Sequence, residues 1–274
     1  MAGGRLVSGY IALSMWDIAL ASSFLLINAG LSALLRLGLE RQLLVAAARM
    51  IVQLLMVGLV LKAVFAVASP WLTLLIAIVM VLFAGREIHA RQARRLTGFW
   101  GYGLGAGAMT AAGTIVTVFA LTTQIQPSPW WAPQFALPLF GMVLGNTMTG
   151  VSLGLDALHT TLDRERRAVE AQLLLGRTSL VAMLPALRLA LRSGFTPIIN
   201  AMAATGVVSL PGMMTGQILS GVDPQEAVKY QLLVMFLIGG ATGLGVLGAV
   251  LASALRLTDD RQRLCLDRLS RRRP

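Results

Sequence analysis

Charged residues are scarce in this chain. They make up 13% of 274 residues, against 56% hydrophobic, with a mean hydropathy of +0.75. Soluble domains carry about 25% charged residues, so the composition excludes a soluble globular protein and indicates an integral membrane protein. No polar stretch is long enough for a separate soluble domain, and residues 1–274 read as one transmembrane domain. Cysteine is almost missing: Cys265 stands alone, which excludes an intrachain disulfide and a cysteine-based zinc site. There is no Gly-x-x-x-x-Gly-Lys-Ser/Thr phosphate loop, so the chain cannot cradle ATP phosphates by that device. Energy for any transport must come from a partner or from a gradient. The apolar stretches hold no cluster of His, Cys or acids, which argues against a membrane enzyme. They offer hardly any protonatable group for a gradient-driven transporter or channel.

Basic residues, by contrast, exceed acids by 23 to 12, a net charge of +11. They lie between apolar spans and are not interleaved with stacking aromatics, so nucleic acid is not the implied partner. The bias of cytoplasmic loops toward Arg and Lys accounts for the excess. Arg5 with Ala19-Leu20-Ala21 resembles a signal peptide, but the apolar run continues through residues 24–35, so a retained first helix is expected.

Seven apolar stretches approach the roughly 20 residues that cross a bilayer: residues 14–35, 43–67, 70–85, 100–123, 135–155, 197–219 and 229–255. The basic segments 86–95, 156–193 and 261–273 should be cytoplasmic. The uncharged connection 124–134, with Trp130 and Trp131, suits an outer interfacial belt. These assignments agree on an all-α protein with about seven transmembrane helices, N-terminus out and C-terminus in. Its place is the bacterial cytoplasmic (inner) membrane, with the lipid bilayer as solvent. Small residues recur four apart at Gly101/Gly105, Gly103/Gly107, Gly141/Gly145, Gly150/Gly154, Gly212/Gly216 and Gly239/Gly243, a spacing that lets backbones approach. Intramolecular packing is favoured over homodimer contacts as its cause.

Two segments carry functional signals. Residues 206–221, GVVSLPGMMTGQILSG, are too apolar for a surface loop and too interrupted by Pro211, Gly212 and Gly216 for an ordinary helix. Irregular backbone at membrane depth is tolerated only against protein or a water-lined cavity, so this segment marks an internal face. The second is the cytoplasmic stretch 156–196. There Leu158, Leu162, Val169 and Leu173 recur among charges with the spacing of an amphipathic helix at or below the membrane surface. A second amphipathic run holds Arg188 and Arg192. Between them, Glu170-Ala171 followed by Gly176 resembles the coupling motif of ABC importer permeases, a helix–Gly–helix element that docks on an ATP-hydrolysing subunit. Pro197 falls several residues later than in that pattern.

Three blocks together, GMVLGNTMTGVSLGL (141–155), EAQLLLG (170–176) and PIINAMAATGVVSLPGMMTGQILSG (197–221), resemble the FetB-type permease family. These are iron exporters that work with a separate ABC-type ATPase, FetA. Plant relatives linked to aluminium tolerance share the blocks, and Arg49 and Gln53 in the second span also match. The resemblance implies a homodimeric ABC permease bound to two ATPase subunits, with ATP and Mg on those subunits and no cofactor on this chain. It implies export of iron or a related metal ion. An ABC permease for a lipid-like or nucleotide-sugar cargo is the alternative, and a gradient-driven secondary transporter stands behind both.

Glu170, Ala171 and Gly176 are then the ATPase-coupling candidates. The hinge or translocation-path candidates are Arg49, Gln53, Asn146, Thr149, Asn200, Pro211, Gly212, Met213, Met214 and Gln217. Arg49, an intramembrane charge, either pairs with backbone carbonyls or a carboxylate such as Asp17, or contacts cargo. Met is a soft ligand suited to Cu(I), while iron takes carboxylate or imidazole. Met213 and Met214 therefore read as adaptable packing, and no metal ligand is identified.

Overall fold

The computed structural model describes residues 6–7, 10–11, 14–259 and 261–270. Apart from the two-residue pair Leu6–Val7 with Tyr10–Ile11, it is built of helices: α1 (Met15–Leu34), α2 (Glu40–Val67), α3 (Pro70–Arg91), α4 (Phe99–Phe119), α5 (Pro133–Arg164), α6 (Arg166–Leu174), α7 (Ser179–Ala182), α8 (Leu184–Ala204), α9 (Gly212–Leu219) and α10 (Pro224–Arg256). A π-helical turn, Ala120–Ile125, extends α4. Among the described residues, six helices are long and apolar enough to cross a membrane: α1, α2, α3, α4 with its extension, α5 and α10. The all-α membrane class expected from composition is what the chain adopts.

Two expectations need correction. The stretch 197–219 is not one continuous helix: α8 ends at Ala204, a turn occupies residues 205–211, and α9 supplies only eight residues. Gly206 sits in the left-handed region at φ +93, and Gly206 N–H donates to Ser209 O at 2.9 Å, closing the turn that stops α8. The second correction concerns residues 156–164. They continue α5, and Leu158 and Leu162 are fully buried in the core, not laid on a membrane surface. A helix that packs on protein and one that lies on lipid headgroups show the same apolar periodicity, so spacing alone could not separate them.

The chain divides into two compact units, Met1–Val67 with Gly212–Ala227, and Ala68–Pro211 with Val228–Pro274. In the first, α1 opens with a capping box. Trp16 N–H donates to Ser14 Oγ at 3.2 Å, and Ser14 N–H donates to the Asp17 carboxylate at 2.7 Å. Asp17 thus serves the helix start. The turn into α2 is held by buried Ser32, whose hydroxyl accepts from Leu39 N–H at 3.0 Å and donates to Glu40 at 3.1 Å. Most α2 side chains are exposed and apolar. That would be intolerable in water but carries no penalty against lipid tails.

The second unit is organised around α5. Its glycine contacts give the directions. Gly141 meets Met80 of α3, and Gly113 of α4 meets Leu144 and Phe140. Gly150 and Gly154 meet α8 and α10, and Gly245 of α10 meets Thr147 and Val151. These registers make α3, α5 and α10 parallel, with α4 and α8 antiparallel to them. The basic ends of α3, α5 and α10 therefore gather at one end of the unit. There Ala93 N–H donates to Asp156 at 2.7 Å, and Arg94 pairs with Asp163. The connection carrying Trp130 and Trp131 lies at the other end, between α4 and α5. Segregation of the basic loops is the arrangement that the cytoplasmic charge bias requires.

Candidate functional site

The Glu170–Gly176 segment folds as a helix stopped by glycine. Gly176 lies at φ +82, Gly176 N–H donates to Leu173 O at 2.9 Å, and Arg177 N–H donates to Gln172 O at 3.2 Å. This is the paired bonding of a Schellman cap, which a residue with Cβ would strain. The chain then reverses into α7 and α8. Leu174 and Leu175, at the reversal, are 89% and 81% exposed. Glu170 is half-buried and bonded to Arg166 at 2.7 Å, while Ala171 is exposed. A solvated i,i+4 pair of this kind contributes little to stability. The segment therefore presents a charge and two leucines to the outside without needing them for its own fold.

Its base is anchored, and here sequence reasoning missed a residue. His159, 1% exposed near the end of α5, makes two bonds with Nδ1 3.0 Å from Arg94 O and Nε2 2.7 Å from Ser253 Oγ of α10. The neutral tautomer protonated at Nδ1 satisfies both: Nδ1–H donates to the carbonyl, and the Ser253 hydroxyl donates to Nε2. His159 thereby ties the α3–α4 connection, α5 and α10 together below the hairpin. A histidine within a run of arginines gives no signal of such a position.

Along the α5–α8 seam the backbones touch. A Cβ placed on Gly150 would stand 2.8 Å from Gly194 O, and one on Gly154 3.4 Å from Ala190 O. Because the helices are antiparallel with 150 opposite 194, residue 146 is level with 198, and Asn200 is level with 144. Asn146, Thr149 and Asn200 thus lie at a similar height, with Asn146 and Asn200 exposed and Asn200, two residues on from buried Ile198, on the side of α8 turned away from the seam. Asn146 Nδ2 donates to Met142 O at 2.8 Å and Thr149 Oγ1 to Gly145 O at 3.0 Å, so both are satisfied within α5. Thr147 faces the opposite way, into the core against Gly245. On α8, Arg188, Arg192, Thr196 and Asn200 follow one another at i,i+4 and are all exposed. This stripe was legible as spacing, but only the helix start at Leu184 brings the four residues onto one helix. Thr196 Oγ1 donates to Arg192 O at 2.7 Å, so it is satisfied within the helix.

The other candidates are distributed as follows. Arg49 and Gln53 lie one turn apart on α2 in the first unit, both exposed. Pro211 closes the turn after α8, and Gly212 starts α9. Met213, Met214 and Gln217 are half-buried on α9, and Gln217 Oε1 is enclosed without a hydrogen-bond partner among the described residues. A Cβ on Gly212 or Gly216 would meet nothing, so these two glycines do not mark a close helix contact. Among the described residues, no group of three or more His, Cys, Asp or Glu could hold a metal ion.

Residues 15–257 match the model of the family described as Uncharacterised protein family (UPF0014). A UPF0014 membrane protein of Synechocystis sp. is 41% identical over 74% of this chain and 77% of its own length. The probable iron export permease protein FetB of Escherichia coli is 29% identical over 93% of this chain and 96% of its own. Protein ALUMINUM SENSITIVE 3 of Arabidopsis thaliana is 31% identical over 75% and 74%. No solved structure matches the chain.

Proposed function

The chain belongs to the UPF0014 family of membrane proteins, and from that premise we propose that it is the membrane subunit of an ABC transporter. A separate ATPase docks on the α6–Gly176–α7 hairpin and hydrolyses ATP with Mg. The observation that carries this reading is the hairpin: Leu174 and Leu175 stand exposed on a Schellman-capped tip beside Glu170, over the base tied by His159. An exposed apolar pair next to a fixed charge, at the basic end of the unit, supports the reading of this tip as the contact for a protein partner. Closure of two ATPase subunits would push the hairpin and open the α5–α8 seam, with the break at 205–211 as hinge. The basic end then faces the cytoplasm, with the N-terminus outside, and two copies of the chain form the pore.

The named similarity to the Escherichia coli permease supports export of iron or a related metal as the cargo. A second cargo reading has its own support. The path candidates on α5 and α8, Asn146, Thr149 and Asn200, offer amides and a hydroxyl but neither carboxylate nor imidazole, which suits a lipid-like or nucleotide-sugar molecule better than a bare iron ion. The test is reconstitution with the ATPase in proteoliposomes. ATP-dependent movement of radio-iron supports metal export. ATPase activity stimulated by lipid or nucleotide sugar, without iron flux, supports the alternative. Transport without ATP or partner would defeat both and favour a gradient-driven carrier.

A further inference from the structure

The arginine-rich C-terminal segment lies beyond the residues matched by the family and carries no motif, yet it is bound into the fold at three places. First, it turns back on the end of α10: Cys265 N–H donates to Leu257 O at 2.8 Å, and Arg268 Nη1 donates to Arg256 O at 2.6 Å. Second, it pairs with the α3–α4 connection as a short antiparallel bridge. Thr97 N–H donates to Arg268 O and Ser270 N–H to Arg95 O, each at 2.8 Å, and Leu269 is buried in the core beside them. Third, it reaches the hairpin: Ser179 N–H, at the start of α7, donates to Gln262 Oε1 at 2.7 Å.

The third bond is unlike the others. Gln262 lies at φ +59, a left-handed conformation that costs a non-glycine residue, and it is held there by the preceding turn. Asp259 builds that turn by accepting from Arg261 N–H at 3.1 Å and Arg263 N–H at 2.7 Å. A cavity of about 450 Å³ lined by Thr178, Leu180, Leu255 and Thr258 lies beside the bond. Ala182 of α7 and the adjoining Met183 are buried in the same apolar core as Ala254 of α10, and the Gln262 hydrogen bond adds a directional tie at the start of α7.

We propose that residues 257–259 and 261–270 form a strap that passes movement of the coupling hairpin to α10, with Gln262 as its positioning residue. The inference rests on the coupling reading of the hairpin. Packed side chains, hydrogen bonds and rigid helices carry coupling between a pushed element and a moving one. His159 supplies one link, from α5 to α10, and the strap supplies a second, directly from α7. Through the bridge at Leu96 and Leu269, the same strap also carries the α3–α4 connection.

The test uses the full chain in lipid nanodiscs, alone and with its ATPase, and compares wild type with Gln262→Ala and Gln262→Glu. Glutamate keeps an oxygen acceptor, so it should rescue. In the chain alone, amide exchange at residues 179–183 should rise about fivefold in Gln262→Ala, the worth of one lost side-chain hydrogen bond, and stay near wild type in Gln262→Glu. In the complex, ATP should alter exchange at residues 179–183 and 250–257 together in wild type. In Gln262→Ala the ATPase should still bind and the hairpin should still respond, while the α10 response falls to the part carried through His159. Unchanged exchange in Gln262→Ala alone would overturn the strap. So would raised exchange with an intact α10 response, which would make the strap a passive staple. If the wild-type chain binds no ATPase, the coupling reading itself fails and the inference falls with it.

Discussion

Gly150 on α5 and Gly194 on α8 face each other with no room for a side chain. A Cβ on either would stand 2.8–2.9 Å from the other's carbonyl oxygen, and Val246 of α10 closes the third side. The small residues at Gly150/Gly154 therefore serve packing within one chain, setting α5 and α8 backbone against backbone.

Gly194→Ala should accordingly destabilise the protein by about 1–3 kcal/mol, the usual cost of overpacking a close contact. Gly145→Ala, where a Cβ would meet nothing, is the control and should be nearly neutral. Thermal unfolding in detergent measures both.

His159→Leu removes the shared partner of Arg94 O and Ser253 Oγ. Leaving a buried hydroxyl and a carbonyl unpaired costs about 1–3 kcal/mol. Amide exchange should rise across residues 92–97 and 250–257, and Ser253→Ala made together with His159→Leu should restore part of the loss. A double-mutant cycle on unfolding midpoints decides it.

Leu174→Asp with Leu175→Asp should leave the unfolding midpoint unchanged, because both side chains are already exposed. Co-purification with the ATPase should fall at least tenfold, the size expected when a central apolar anchor is lost. Glu170→Arg should weaken it as well and reverse its salt dependence.

Asn146→Leu and Asn200→Leu should keep the fold, since both side chains are exposed and Asn146 bonds only within α5 among the described residues. ATP-driven flux should drop by tenfold or more if the seam lines the path, an effect on the order of 1.4 kcal/mol per tenfold. ATPase binding should be unaffected. Flux in reconstituted vesicles separates the two readouts.

The strap carries a pH dependence. Backbone N–H donation from Arg263 holds the Asp259 carboxyl below its ordinary range. A lowered folded-state pKa means stability that is present above the unfolded value and is lost as pH falls through the folded one. Cys265, the lone thiol, is half-buried in the strap. Its labelling by dithiodipyridine, taken relative to the unfolded chain at the same pH so that thiolate content cancels, should be slow at neutral pH and faster below the normal carboxylate range. In Asp259→Asn the rate should already be raised at neutral pH, without the acid step.

Much of the architecture was legible because bilayer thickness makes span length a sequence property. The apolar runs behind α2, α3, α4 and α10, the stop at Gly176 and the interruption at Gly206–Pro211 all follow from composition and backbone chemistry. Leu158 and Leu162 were misplaced on a surface because their periodicity is the same on lipid and on protein. Thr196 was overlooked because its partners in the stripe, Arg188 and Asn200, fell in segments read as different elements.

The sequence by itself determined a multi-pass helical membrane protein with its basic segments on one side and a glycine-stopped helix among them. Those features depend on local terms: transfer of apolar side chains to lipid, the charge bias of loops, and the φ freedom of glycine. Tertiary structure alone decided that Gly150 meets Gly194, that His159 joins Arg94 to Ser253, and that Gln262 reaches Ser179 across more than eighty residues. Each of these depends on which helices become neighbours, and that is set by the packing of the whole unit and leaves no periodic mark on the chain.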